Sequence, residues 1–225
     1  MSLTLRYHLR IYRREHLGLP VGLWALFAII IAIMRDEPGR LYDMARAFLV
    51  FVLPLSAGIL SASAIVDDTA MELQLAAPRA PWRILLERLA VLLAVVALGA
   101  ATFQVYLAVM GVDISSLGNL AVRQLVWLVP GITLMGLSSL AALGLVQGTA
   151  GALAAGIVWL LQLLLKDWFI ASPWARYLLL FLGGLRPGTP YLPWNQLCLT
   201  GLAVAFTVAA SLLLRSSGAD RLLNS

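Results

Sequence analysis

The residues of this chain that could do chemistry are few and scattered. Its two histidines, His8 and His16, both lie in a basic opening segment, and the long apolar runs contain none. General acid-base and nucleophilic catalysis need a base within reach of an orienting partner, which argues against a histidine-dependent hydrolase inside a membrane. The run GLSSLAALG, residues 136–144, offers Ser138 and Ser139, but it is not a G-x-S-x-G elbow. Serines among small residues read as helix-packing groups that hydrogen-bond to their own or a neighbouring backbone. The single cysteine, Cys198, has no companion for a disulfide or a metal site. The phosphate-binding pattern G-x-x-x-x-G-K-[ST] is absent from the sequence. The expectation is therefore that the chain is not an enzyme and has no catalytic, cofactor or metal residues of its own. If ATP drives it, another polypeptide hydrolyses the ATP.

The densest charge lies in IVDDTAMELQLAAPRAPWRILLERL, residues 65–89. Asp67, Asp68 and Glu72 could in principle serve a carboxylate enzyme acting on lipid, but too few other polar groups accompany them to build a site. Their spacing has a structural meaning instead. Thr69 and Glu72 have capping-box separation, and Asp67 and Asp68 add negative charge at the positive end of a helix dipole. Good helix formers follow from Ala70 to Ala77, until Pro78 closes the segment after about two turns, roughly 12–15 Å. Arg79 comes next, then Pro81 suited to a helix start, Trp82 as an interface anchor, and Arg83 and Glu87 as an i, i+4 pair. The alternative is a solvated loop with incidental capping.

The elements that must position these groups are membrane helices. Of 225 residues, 61% are hydrophobic and 12% charged, where a soluble domain is about a quarter charged. The mean hydropathy is +0.91. A spanning helix needs about 20 apolar residues. Six stretches qualify or nearly so: 17–34, 44–66, 84–110, 122–147, 149–165 and 196–214. The fifth is the shortest. Region 166–195 holds Pro173, Gly183, Gly184, Pro187, Gly188, Pro190 and Pro193, a density of breakers that predicts short, broken helices dipping back into the membrane. The spans carry almost no ionisable residues, unlike ion-coupled carriers, so energy is expected to enter from outside the membrane. Gly18-x-x-x-Gly22 and Gly144-x-x-x-Gly148 read as internal packing.

Six spans put both termini on one side. That side and the 67–82 loop with its flanks carry nine basic residues (Arg6, Arg10, Arg13, Arg14, Arg79, Arg83, Arg88, Arg215, Arg221), against seven opposite (Arg35, Arg40, Arg46, Arg123, Lys166, Arg176, Arg186). With four arginines before the first span, both termini are expected in the cytoplasm. No small-x-small cleavage site follows the first apolar run, so it reads as a retained span. Residues 1–16, with Leu5, Leu9 and Tyr12 at i, i+4, i+7 and Arg6, Arg10 and Arg13 one position on, read as an amphipathic helix lying in the interface. The basic excess fits cytoplasmic loops, and no nucleic-acid partner is expected.

This arrangement resembles the permease subunits of type 2 ABC transporters. The sequence-level likeness is confined to Asp68-Thr69-Ala70-Met71-Glu72-Leu73-Gln74-Leu75-Ala76-Ala77-Pro78-Arg79, where the family has an acidic residue, a spacer, Glu, leucines, Pro and basic residues. The family usually has Gly shortly before the Glu, where this chain has Thr69-Ala70-Met71. The resemblance implies a single all-α transmembrane domain over 1–225 with six spans, an interfacial N-terminal helix, a coupling helix between spans two and three, and broken re-entrant helices between spans five and six. It further implies that Glu72, Leu73, Leu75 and Pro78, flanked by Asp68 and Arg79, dock on a separate ATP-binding cassette subunit, where ATP and magnesium are bound. Two permease copies, identical or related, would enclose a pathway lined by spans two and five in a bacterial inner membrane. The resemblance implies export, and scarce mid-membrane charge points to an amphiphilic or hydrophobic cargo such as a lipid, drug or modified peptide. The rival reading is a non-transporting assembly or sensor protein that binds a cytosolic partner through the same loop.

Overall fold

The computed structural model describes residues 14–66 and 81–215, and within them the chain is helical without strands. Helix α1 covers Arg14–Ile33. A second rod follows in three parts: α2 (Pro38–Ala47), a wide π turn (Phe48–Val52) and α3 (Leu53–Val66). Next come α4 (Pro81–Val109), α5 (Leu120–Leu145) and α6 (Gly148–Leu164). Short pieces, α7 (Lys166–Ala171), a 3-10 turn (Ala175–Leu178) and α8 (Leu182–Leu185), lead to α9 (Leu192–Leu213).

Among the described residues four helices are long and apolar enough to cross a membrane: Gly39–Ser63, Trp82–Val109, Leu120–Leu145 and Leu192–Leu213. Gly18–Ile33 and Gly148–Leu164 are shorter apolar helices. Leu98, Val105, Val109, Leu153, Val204 and other large apolar side chains face outward. In water such a surface would be costly, so it fits a membrane-embedded protein.

Two boundaries differ from the sequence expectation for the same reason. The second rod begins at Pro38, six residues before the expected 44, and α9 begins at Leu192 with Pro193 in its first turn. Pro38 falls before the expected span, and Pro193 had counted among the breakers, yet a proline suits a helix start. At a helix start its missing N–H is one of the unsatisfied donors anyway, and its fixed φ already suits the helix. The charges of α2 and of the residue before it pair locally, Arg40 Nε with Glu37 Oε2 at 2.8 Å and Arg46 with Asp43 at 3.2 Å. Elsewhere the Asn119 Oδ1 accepts the Val122 N–H at 3.0 Å and caps α5. In the preceding loop Asp113 accepts the Ser115 N–H at 2.8 Å and its hydroxyl at 3.0 Å, which hold its carboxyl below the usual carboxylate range.

Helix α3 packs against α4, α5 and α6, and α5 packs against α6 and α9. Small residues bring them close. A Cβ on Gly58 of α3 would lie 3.1 Å from the Cβ atoms of both Ala155 (α6) and Leu134 (α5). One on Gly151 of α6 would lie 2.5 Å from the Ser138 carbonyl oxygen (α5) and 2.9 Å from the Ala62 Cβ (α3). Membrane helices associate through such close approach, because lipid tails supply no hydrophobic drive between them. The pairs with G-x-x-x-G spacing contribute less. Gly18 and Gly22 have nothing within 4 Å, and Gly144 only touches Leu213 at 4.0 Å, although Gly148 is buried.

A second packing focus lies where α1, the π turn and α4 meet. Phe48 stacks on Phe103 at 4.0 Å between centroids and on Phe27 at 5.4 Å, with Trp24 against Tyr106 at 5.7 Å. The Tyr106 hydroxyl donates to the Ala28 carbonyl at 2.7 Å, which fastens α4 to α1. Arg88, expected among the charges of a loop, is instead 4% exposed within α4.

Candidate functional site

The predicted docking residues Asp68, Glu72, Leu73, Leu75, Pro78 and Arg79 lie outside the described residues, as do residues 1–13 of the expected interfacial helix. What is described are the two helix ends that carry the loop, Val66 of α3 and Pro81 of α4.

The most elaborate polar construction surrounds the broken segment between α6 and α9. Its centre, Leu179 to Leu182, is 0–2% exposed and belongs to a core with Val50, Val126, Val129, Ala155 and Leu199. Backbone without helical bonding is costly in an apolar interior unless every polar group finds a partner. Two side chains supply the partners. Asn195, fully buried on α9, shares the N–H bonds of its Nδ2 among the carbonyls of Arg176 (3.2 Å), Tyr177 (3.1 Å) and Leu179 (2.9 Å). Gln162, on α6, accepts the Leu180 N–H at 2.7 Å through Oε1 and donates to the Leu178 carbonyl at 3.2 Å through Nε2. The segment is thus clamped from both neighbouring helices.

The fit is close on its other side. A Cβ on Gly184 would lie 2.4 Å from both γ-carbons of Val50, and one on Gly183 would lie 2.9 Å from a Val126 γ-carbon. Val50 stands within the π turn, where the Leu53 N–H reaches back five residues to the Phe48 carbonyl. Pro54, one residue on, has no N–H to offer a carbonyl one turn earlier. The Trp159 indole N–H, from α6, donates to the Phe51 carbonyl at 2.9 Å, and the Phe181 ring packs against both the Phe51 ring (4.9 Å) and the Trp159 ring (6.1 Å). Helix irregularity, tryptophan and broken segment form one joint. Replacing Trp159 with Phe keeps most of the ring contact and removes the donor, and is expected to cost about 1–2 kcal/mol in thermal unfolding in detergent.

Near the outer end of the joint, Arg176 lies over the Tyr191 ring at 4.6 Å and the Tyr177 ring at 5.3 Å. A separate polar pair links α4 and α5. Gln104 and Gln124 exchange amide bonds at 3.0 and 3.3 Å, and the Trp127 N–H donates to the Gln124 Oε1 at 2.9 Å. The serines behave as packing groups in part: Ser139 donates to the Met135 carbonyl at 2.7 Å, while the Ser138 hydroxyl is buried without a partner. No cluster of three metal-ligating side chains occurs among the described residues.

The arrangement brings together no nucleophile and base. Chemically it holds backbone in an apolar interior. Asn195, Gln162 and Trp159 were not singled out in the sequence, although lone amides inside apolar runs, LLQLLL and PWNQL, are the available signal, because such groups need a partner. No protein-family model matches this chain, and no curated protein or solved structure matches it either.

Proposed function

We propose that this chain is the permease subunit of an ATP-driven transporter of the type 2 ABC architecture, exporting an amphiphilic or hydrophobic cargo across a bacterial inner membrane. In this reading six apolar helices enter the membrane: α1, the rod of α2 and α3, α4, α5, α6 and α9. Both termini and the 67–80 loop face the cytoplasm, and α7 to α8 re-enter from outside. ATP and magnesium belong to a cassette subunit, and a second permease completes the pathway. This chain would itself have no catalytic role.

The observation that supports the reading most is the broken segment, because a buried, clamped, non-spanning piece between the fifth and sixth apolar helices is what the family resemblance implies. In this reading α4, α5 and α6 each cross once, so the chain order is consistent with an outward broken segment and an inward 67–80 loop. The test is copurification of the tagged full chain with a phosphate-loop ATPase, followed by ATP-dependent transport in vesicles. The double variant Glu72→Ala, Leu75→Asp is expected to weaken ATPase association about tenfold or more, since it places a carboxylate in an apolar contact. Unchanged association and transport would overturn the docking role of residues 68–79, whereas a wild-type chain that neither copurifies with an ATPase nor supports ATP-dependent transport would overturn the whole reading and leave a non-transporting membrane protein.

A further inference from the structure

We propose that a groove on the flank of the bundle, between α4, α5 and α9, binds an anionic phospholipid, with an acyl chain in the groove and the phosphate between Arg83 and Arg215. The proposal needs only that the chain is embedded in a membrane and stands apart from the transport reading.

The groove has a volume of about 430 Å³ and is walled by Leu86, Ala90 and Leu93 of α4 and by Val204 and Val208 of α9. That volume is within the range of about 300–1,000 Å³ that small-molecule sites occupy. Its floor lies at Gly136 of α5, where a Cβ would meet the Ala203 carbonyl and the Phe206 Cβ, each at 3.1 Å, so α5 and α9 close it from below. The one lining hydroxyl, Thr207, donates to the Ala203 carbonyl of its own helix at 2.8 Å. The surface left is therefore apolar. Leu86, Val204 and Val208 are 43%, 58% and 51% exposed, so the groove opens sideways, towards lipid.

Charge distinguishes one end of it. The first turns of α4 line the groove together with the last turns of α9, so the start of one and the end of the other share a face of the bundle. Arg83 precedes Leu86 by three residues and Ala90 by seven on α4, and Arg215 follows Val208 by seven, in the π turn just past the end of α9, so both arginines stand at this end of the groove. Both are exposed. The Arg83 guanidinium lies over the Trp82 ring at 5.2 Å, an amphipathic ring of the kind that sits at headgroup level. Arg88 and Glu87 complete the described charges at the start of α4, Arg88 buried with an interaction of its own and Glu87 exposed, so the described charges at the groove mouth are net positive. An apolar cleft with two arginines at its mouth matches one acyl chain and one phosphate. A second copy docked here by a two-fold axis would instead bring like charges together.

The full chain is delipidated in detergent and returned to nanodiscs of mixed phosphatidylglycerol and phosphatidylcholine, and retained lipid is read by native mass spectrometry. The wild type is expected to retain phosphatidylglycerol selectively. Arg83→Gln with Arg215→Gln lowers its affinity for that lipid about thirtyfold and leaves phosphatidylcholine unchanged, while Arg83→Lys with Arg215→Lys keeps the preference. Ala90→Trp, at an exposed position, fills the groove and removes both lipids with circular dichroism unchanged. A phosphatidylglycerol with a diazirine in mid-chain labels peptides containing Ala90 and Val204, and excess inorganic phosphate does not compete. Equal retention in the wild type and the double Gln variant overturns the proposal. So does competition by phosphate alone, labelling that survives Ala90→Trp, or a change in oligomer mass with Ala90→Trp, which would assign the groove to a second copy.

Discussion

Asn195→Ala is expected to destabilise the folded chain by about 3 kcal/mol, more than any other single loss of a polar group considered above. The substitution removes the donor that serves the carbonyls of Arg176, Tyr177 and Leu179. Two of these keep long secondary contacts, from the Leu179 N–H to Arg176 at 3.5 Å and from the Leu182 N–H to Leu179 at 3.4 Å. A buried acceptor left without a good donor costs about 1–3 kcal/mol, and water has no ready path to a site that is fully buried. Thermal unfolding in detergent is the measurement. Asn195→Asp makes a sharper comparison, since it preserves shape while presenting an oxygen to oxygens, and it is expected to be at least as damaging. A loss under about 1 kcal/mol for both variants would mean that Asn195 does not hold the broken segment.

Gly151→Ala is expected to cost about 3 kcal/mol, for steric reasons alone. The added methyl would meet the Ser138 carbonyl oxygen at 2.5 Å, the Ala142 Cβ at 2.8 Å and the Ala62 Cβ at 2.9 Å. None of these atoms is the end of a flexible side chain, so relief requires α3, α5 and α6 to move apart. Gly156→Ala is the internal control. It lies on the same helix with nothing within 4 Å, and alanine in a helix interior is favoured over glycine by about 0.5–1 kcal/mol. The two variants should therefore move the unfolding midpoint in opposite directions. Equal responses would show that the approach at Gly151 is not what sets the spacing of the three helices.

The apolar helices were legible because length and hydropathy alone separate a membrane helix from other structure. Their ends were less so. The charges from Arg35 to Asp43 made the first turns of α2 read as loop, although Pro38 already marked a start. Pro193 counted among the breakers when its place is the first turn of α9. The glycines that matter, Gly58, Gly136, Gly151 and Gly184, follow no spacing within one helix, because what selects them is the approach of a different helix or of the broken segment. Asn195 and Gln162 were hidden for a related reason. Their partners are backbone groups that lack helical bonds, and that need becomes visible only when residues 175–185 are seen as short, separate turns. The docking residues 68–79 rest on sequence alone.

The π turn at Phe48–Val52 bears on how this chain can change its length. A π turn is an α-helix with one residue inserted, held in a single wide loop of backbone. Elsewhere in the bundle, loss of one residue would rotate everything downstream by about 100° and turn buried faces outward. Within this turn, a one-residue deletion restores ordinary helix and leaves α2 and α3 facing the neighbours they already have. Single-codon losses in descendants of this sequence should therefore collect here, in the middle of a membrane helix, where alignments normally forbid gaps.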